Sequence, residues 1–219
     1  MVLNNLTYGW QGFAAAFIAI LIGYFLGSIP FGLILTKLFG AGDLRAIGSG
    51  NIGATNVLRT GRKGLALATL LLDGGKGAVA VGIGNILGPD DAVYAGIAAF
   101  IGHIAPIWLR FRGGKGVATF LGLGLGLSFW MGLAACGVWL LTAVISRYSS
   151  LAALVMAAAT PVLAALLFRA PPGQQLIFGP VTLALALTLV AGLLFWRHRE
   201  NIQRLLAGTE PKIGAKTKG

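Results

Sequence analysis

The fold class this sequence predicts is an all-α integral membrane protein of seven transmembrane helices, some short or interrupted, and three observations predict it. Hydrophobic residues make up 57% of the 219-residue chain and charged residues only 11%, with a mean hydropathy of +0.84, far too apolar for a soluble domain of this size. The apolar residues form runs at 12–39, 64–88, 92–109, 117–146, 151–168 and 176–196, comparable with the ~20 residues a spanning helix needs. Most of the 17 basic residues, set against 6 acids, lie in the short segments between runs, as in cytoplasmic loops. A net charge of +11 would suggest nucleic acid in a soluble chain; here the loop distribution accounts for it, and no nucleic-acid partner is inferred.

The first run follows MVLNNLTYGWQ, which lacks the basic n-region of a cleavable signal, and it is too long for an h-region. It is read as a retained span with the N-terminus outside. Arg45, Arg59, Arg62 and Lys63 follow it inside, the second run leads out to Pro89-Asp90-Asp91, and the third returns to Arg110, Arg112 and Lys115. The run 117–146 has 30 residues and no charge, long for one crossing and short for two. A single crossing would leave Arg147 and then the basic C-terminal tail on sides that break the alternation. A hairpin around Ser128 restores it, with a first arm of about 11 residues, roughly 16 Å, a short helix of the kind found in interrupted-helix sites. Arg147 is then inside, Arg169 is the one basic loop residue outside, and Arg197, Arg199, Arg204, Lys212, Lys216 and Lys218 form an internal tail. The spacing of Gly122, Gly124 and Gly126 suits helices packed backbone to backbone. The whole of 1–219 reads as a single transmembrane domain, without strand pattern, repeat or soluble domain.

This topology puts every unusual polar stretch on one side: 48–59, 103–119, 146–150 and 197–210. Glycine-freed amides and basic residues at helix ends form an anion receptor, because orphan N–H groups favour phosphate oxygens. GSGNIGATNVLR, Gly48 to Arg59, contains a literal GxGxxG, with Asp73 at the offset a dinucleotide fold uses; the context rejects it, since a strand must precede. RFRGGKG lacks the first glycine of a Walker loop, where Leu109 stands, and Gly116 replaces the magnesium-binding hydroxyl. Gly113, Gly114 and Gly116 serve equally well as a tight turn, and Ser49, Asn51, Thr55 and Asn56 as loop and cap residues, with Arg59, Arg110 and Arg112 as interfacial anchors. Lys115, flanked by those glycines, is harder to read as structural.

Asp73 and Lys76 lie within an apolar run, where each charge costs ~2.5–3.5 kcal/mol. At i, i+3 they can pair, and they are read as a structural ion pair holding a helix interrupted at Gly74-Gly75. A helix through 197–206 sets His198 and Asn201 on one face and a structural Glu200–Arg204 pair on another. His103, before the basic loop, is the second histidine candidate. Cys136 has no partner cysteine, no His, Cys and acid cluster has metal-ligand spacing, and no Ser-His-Asp arrangement is suggested.

Taken together, GSGNIGATNVLR, GHIAPIWLRFRGGKGVAT and RHRENIQRLLAGTE resemble the three motifs of the PlsY family, the bacterial acyl-phosphate:glycerol-3-phosphate acyltransferases. The resemblance covers nearly the whole chain, including LLDGGKG and RYSSL; Ala105 stands where the family usually has phenylalanine. It implies a seven-helix enzyme of the bacterial inner membrane, N-terminus out and C-terminus in, with its site facing the cytoplasm. That enzyme moves an acyl group from acyl phosphate to the sn-1 hydroxyl of glycerol 3-phosphate, with no cofactor, metal or obligate protein partner. Lysophosphatidic acid and phosphate are its products, for phospholipid synthesis. Ser49, Asn51, Thr55, Asn56, Arg59 and Ser149 would then position phosphates and carbonyl. Lys115 and the amides of Gly113, Gly114 and Gly116 would neutralise charge, and His198 and Asn201 would orient glycerol phosphate. His198 or a donor phosphate oxygen takes the proton. Membrane lipid shelters the acyl chain at ~0.8 kcal/mol per buried CH₂. The rival readings are a transporter for an organic phosphate, which needs a site reachable from both sides, and a lipid-binding scaffold without turnover.

Overall fold

A computed structural model describes residues 2–169 and 177–215, with side chains described from Gly12 onward. Lys216 and Lys218 of the tail lie outside the described residues. Every regular element among the described residues is a helix. Six are long and apolar enough to cross a membrane, and a shorter apolar helix at Val117–Leu127 supplies the seventh segment.

The chain begins with α1 (Val2–Gly27) and α2 (Phe31–Leu38). They are separated at Ser28–Pro30 because proline offers no N–H and disfavours helical backbone in the residue before it. The indole of Trp108 donates to the freed Ser28 carbonyl at 2.7 Å. After a loop comes the one-turn α3 (Ala54–Leu58), then α4 (Lys63–Leu87) and its antiparallel neighbour α5 (Pro89–Ile104). The expected interruption at Gly74-Gly75 is corrected: α4 runs unbroken through both. Gly74 instead marks the crossing of α4 and α6 (Val117–Leu127), where a side chain on Gly122 would run into the Gly74 carbonyl. Glycine there permits backbone contact that larger residues forbid. Likewise, a side chain on Gly23 or Gly27 of α1 would strike the backbone of Ala95 or Ala99 in α5.

The hairpin at Ser128 is present: α6 has 11 residues, Ser128 is extended, and its hydroxyl accepts from the Met131 amide at 3.4 Å as the N-cap of α7 (Phe129–Ser146). Arg147, left-handed at φ 62, turns the chain into α8 (Ser149–Leu167). The last span is α9 (Pro180–Arg197), followed by α10 (Arg199–Leu206). The single helix expected through 197–206 is therefore broken, with His198 as the joint. Phe100, Phe120, Leu123, Met131, Met156, Leu187 and Leu194 form a buried core between α5 and α9, while Leu140, Val144, Ile145 and Leu189 face outward, as lipid-facing positions do. At the end opposite the polar loops, the Asp90 carboxylate accepts from the amides of Ile177 and Phe178 at 3.0 and 2.9 Å, pinning the start of α9 to α5.

Candidate active site

The four polar stretches meet. Arg45 donates to the Arg112 carbonyl at 2.7 Å, the hydroxyls of Thr55 and Ser149 lie 3.1 Å apart, Lys115 donates to the Asn201 side-chain oxygen, and Ser150 donates to Glu210 at 2.7 Å. Between them lies a cavity of about 440 Å³ whose walls include Ser49, Asn51, Thr55, Asn56, Arg59, Lys63, Asp73, His103, Lys115, Gly116, Ser149, His198, Asn201, Arg204, Glu210 and Lys212.

The first wall is a loop folded around one side chain. Asn56 is buried, its amide donating to the carbonyls of Leu44, Ile47 and Asn51 at 2.8–3.0 Å. Its oxygen accepts from the Ser49 amide at 3.3 Å and from Arg59 at 3.2 Å. A group so committed holds the loop, so Asn56, expected among the substrate groups, stands at the cavity wall with its polar atoms engaged by its own loop. Gly48, left-handed at φ 56, lets the Arg59 guanidinium lie where a side chain would stand. Ser49, Thr55 and Arg59 are thereby presented on the cavity side.

The glycine loop departs from expectation in the same way. The Gly113 amide donates to Ile104 O at 3.2 Å and the Gly114 amide to His103 O at 3.0 Å. Their carbonyls accept from Arg197, at 2.9 Å for Gly113 and 3.1 Å for Gly114. Neither amide is available to phosphate, and neither residue lines the cavity, which corrects their placement among the substrate groups. Their small size is what matters, because side chains at Gly113 and Gly114 would collide with the backbone and imidazole of His103. Gly116, left-handed at φ 83, does line the cavity, as does Lys115. Burial lowers the Lys115 pKa to about 8, a fall that the Glu210 carboxylate opposes; the ammonium remains the major form at neutral pH.

The third wall is the joint between α9 and α10. His198 is buried, with Nδ1 2.9 Å from Leu194 O. A carbonyl only accepts, so Nδ1 carries the hydrogen and Nε2 is left as an acceptor. Burial and then the Lys115 charge lower the His198 pKa to about 4, so the ring is neutral. Asn201 accepts from Lys115 and donates to Glu210 Oε1 at 2.6 Å. Glu210 also accepts from Arg204 Nε at 2.7 Å. Burial alone would raise the Glu210 pKa, but hydrogen bonds from Asn201, Ser150 and Arg204 outweigh it and hold the carboxyl below its usual range. The expected Glu200–Arg204 pair is corrected: Glu200 is exposed and 3.8 Å from Arg199, because the chain turns at Gly208 (φ 67) and brings Glu210 to Arg204 instead.

Sequence reasoning missed Glu210, Ser150 and the 210–215 segment as walls of the site. The available signal was an acid in a chain of net charge +11 lying within the last of the four polar stretches. Asp73 and Lys76 pair as expected, at 2.7 Å and almost fully buried, but Asp73 also reaches the cavity.

A family model described as Glycerol-3-phosphate acyltransferase matches residues 17–208. The Glycerol-3-phosphate acyltransferase of Bradyrhizobium sp. strain BTAi1 is 57% identical over 91% of this chain and 96% of its own length. That of Rhodopseudomonas palustris strain HaA2 is also 57% identical, over 90% and 95%. Among solved structures, the glycerol 3-phosphate form of PlsY, an integral membrane glycerol 3-phosphate acyltransferase, superposes with a TM-score of 0.80 at 36% identity, covering 91% of this chain and 96% of that one. Its lysophosphatidic acid form superposes at 0.78 with 35% identity. The fold, the meeting of the four polar stretches and these likenesses agree, and the chain belongs to the glycerol-3-phosphate acyltransferase family.

Proposed function

We propose that the acyl donor is acyl phosphate and that the acyl group passes directly to the sn-1 hydroxyl of glycerol 3-phosphate, giving lysophosphatidic acid and inorganic phosphate at the cytoplasmic face of a bacterial inner membrane. The observation that carries this reading is a cavity in which Arg59 and Lys115 together supply positive charge beside a neutral His198. Two phosphate-bearing substrates call for such charge, and the seven-span bundle around it suits an acyl chain. The PlsY structures in glycerol 3-phosphate and lysophosphatidic acid forms support the acceptor and product.

In this mechanism Arg59 and Lys115 hold phosphate oxygens, with Ser49, Asn51, Thr55, Ser149 and Gly116 positioning phosphate and carbonyl around them, as preorganised electrostatics do in anion chemistry. His198 Nε2 accepts a hydrogen bond from the glycerol phosphate. Asn201 keeps Lys115 in place and is itself held by Glu210. The hydroxyl oxygen attacks the acyl carbon, the acyl–phosphate bond breaks, and the hydroxyl proton goes to a departing phosphate oxygen. An imidazole with pKa about 4 is a weaker base than phosphate, whose second pKa is about 6 in a monoester. The nucleophile is the substrate itself: the Ser149 hydroxyl pairs with Thr55, and the His198 Nδ1 hydrogen is spent on Leu194.

The test is turnover. Purified protein in detergent, given acyl phosphate and labelled glycerol 3-phosphate without CoA thioester, ATP or added metal, is expected to form labelled lysophosphatidic acid and one phosphate per product. Product formed only from an acyl-CoA would overturn the donor assignment.

A further inference from the structure

Beneath the glycine loop lies a buried polar chain that the mechanism above leaves unused. Lys76 Nζ, almost fully buried, donates to Ile29 O at 2.8 Å in the break between α1 and α2 and to Asp73 Oδ1 at 2.7 Å. His103 Nδ1 faces the same Asp73 oxygen across 3.6 Å and, although buried, has no hydrogen-bond partner. The other edge of that ring carries Nε2, which occupies the position a side chain on Gly114 would take, and the His103 carbonyl holds the Gly114 amide. Lys115 is the next residue, and Asp73 and His103 both reach the cavity wall.

We propose that Asp73 and His103 are positioning residues for catalysis: the carboxylate, neutralised by Lys76, orients the His103 ring, and the ring seats Gly114 so that Lys115 meets the phosphate. The inference rests on the reading of Lys115 as a phosphate ligand. The 3.6 Å separation is longer than a hydrogen bond, so the carboxylate acts on the buried ring through its charge across that gap. Gly114 is then glycine because the imidazole must lie against its backbone.

The experiment is a mutant cycle on the purified enzyme, with kcat at saturating substrates measured per folded protein. Asp73→Asn alone leaves Lys76 as an unpaired buried charge and risks misfolding, so Asp73→Asn is combined with Lys76→Met. His103→Gln is expected to lower kcat about 10- to 100-fold, as a misplacement of about 1 Å can, and Asp73→Asn/Lys76→Met by a similar factor. All three changes together should fall no more than about threefold below the slower of these two, since both act on one ring. Losses that multiply, or a wild-type kcat in His103→Gln, would overturn the proposal. His103→Gln introduces no charge and decides the question alone if the other variants fail to fold. Wild-type enzyme is supplied separately with acyl phosphate and with an acyl-CoA thioester. The donor that supports turnover decides the proposed reaction, and the variants, assayed with that donor, decide the role of this pair.

Discussion

Two pKa values set the behaviour of individual residues. Lys115, lowered to about 8, is charged below that pH and loses its charge above it. Since kcat/KM reports ionisations of the free enzyme, kcat/KM is expected to fall as pH rises through about 8. Lys115→Arg should remove that limb within the measurable range, because arginine stays protonated. His198, lowered to about 4, is neutral throughout, so no acid limb near an ordinary histidine pKa is expected. His198→Gln keeps a hydrogen-bonding group and should raise the glycerol 3-phosphate KM about tenfold, with kcat within a few-fold of wild type; a loss of kcat alone would return His198 to the role of base. That Ser49, Arg59, Lys115, His198 and Asn201 gather at one cavity was readable because they stand in polar stretches beside apolar runs. Glu210 was not, since its partners Asn201, Ser150 and Arg204 come together only after a turn at Gly208 that no periodicity announces. The loop-holding bonds of Asn56 were not legible for a related reason: a side chain that folds its own loop has the same composition as one that binds a ligand.

Among the elements, the crossing of α4 and α6 and the tether at Glu210 carry the most weight for placing the site. Gly122→Leu would drive a side chain into the Gly74 carbonyl; overpacking of this kind costs about 1–3 kcal/mol, and a lower thermal midpoint in detergent checks it. Glu210→Gln would leave buried donors of Asn201 and Ser150 competing for one neutral acceptor, at about 1–3 kcal/mol. The same thermal measurement reads it, together with faster proteolysis of the 210–215 segment. The short arm 117–127 was legible from loop charge, because only a hairpin at Ser128 kept the alternation. Neither the continuity of α4 nor the joint at His198 was legible: glycine pairs mark breaks and close crossings alike, and the bend at His198 depends on what α9 and α10 pack against.

At the scale of the molecule, apolar composition and the positions of basic loops were enough to predict an all-helical membrane bundle with its polar stretches at one end. The bundle delivers that arrangement, with six long spans, one short one and the polar segments joined around one cavity. What charge and periodicity leave open is which of the gathered groups face the cavity and which face each other, because that is decided by contacts between segments far apart in the chain. The central claim is that both substrates occupy this cavity at once and that the acyl group never resides on the protein. Rapid mixing of the enzyme with labelled acyl phosphate, with and without glycerol 3-phosphate, tests this most directly. The account predicts phosphate release only when glycerol 3-phosphate is present and no label on the protein; a phosphate burst equal to the enzyme concentration in its absence, with label on Ser49 or Ser149, would contradict it.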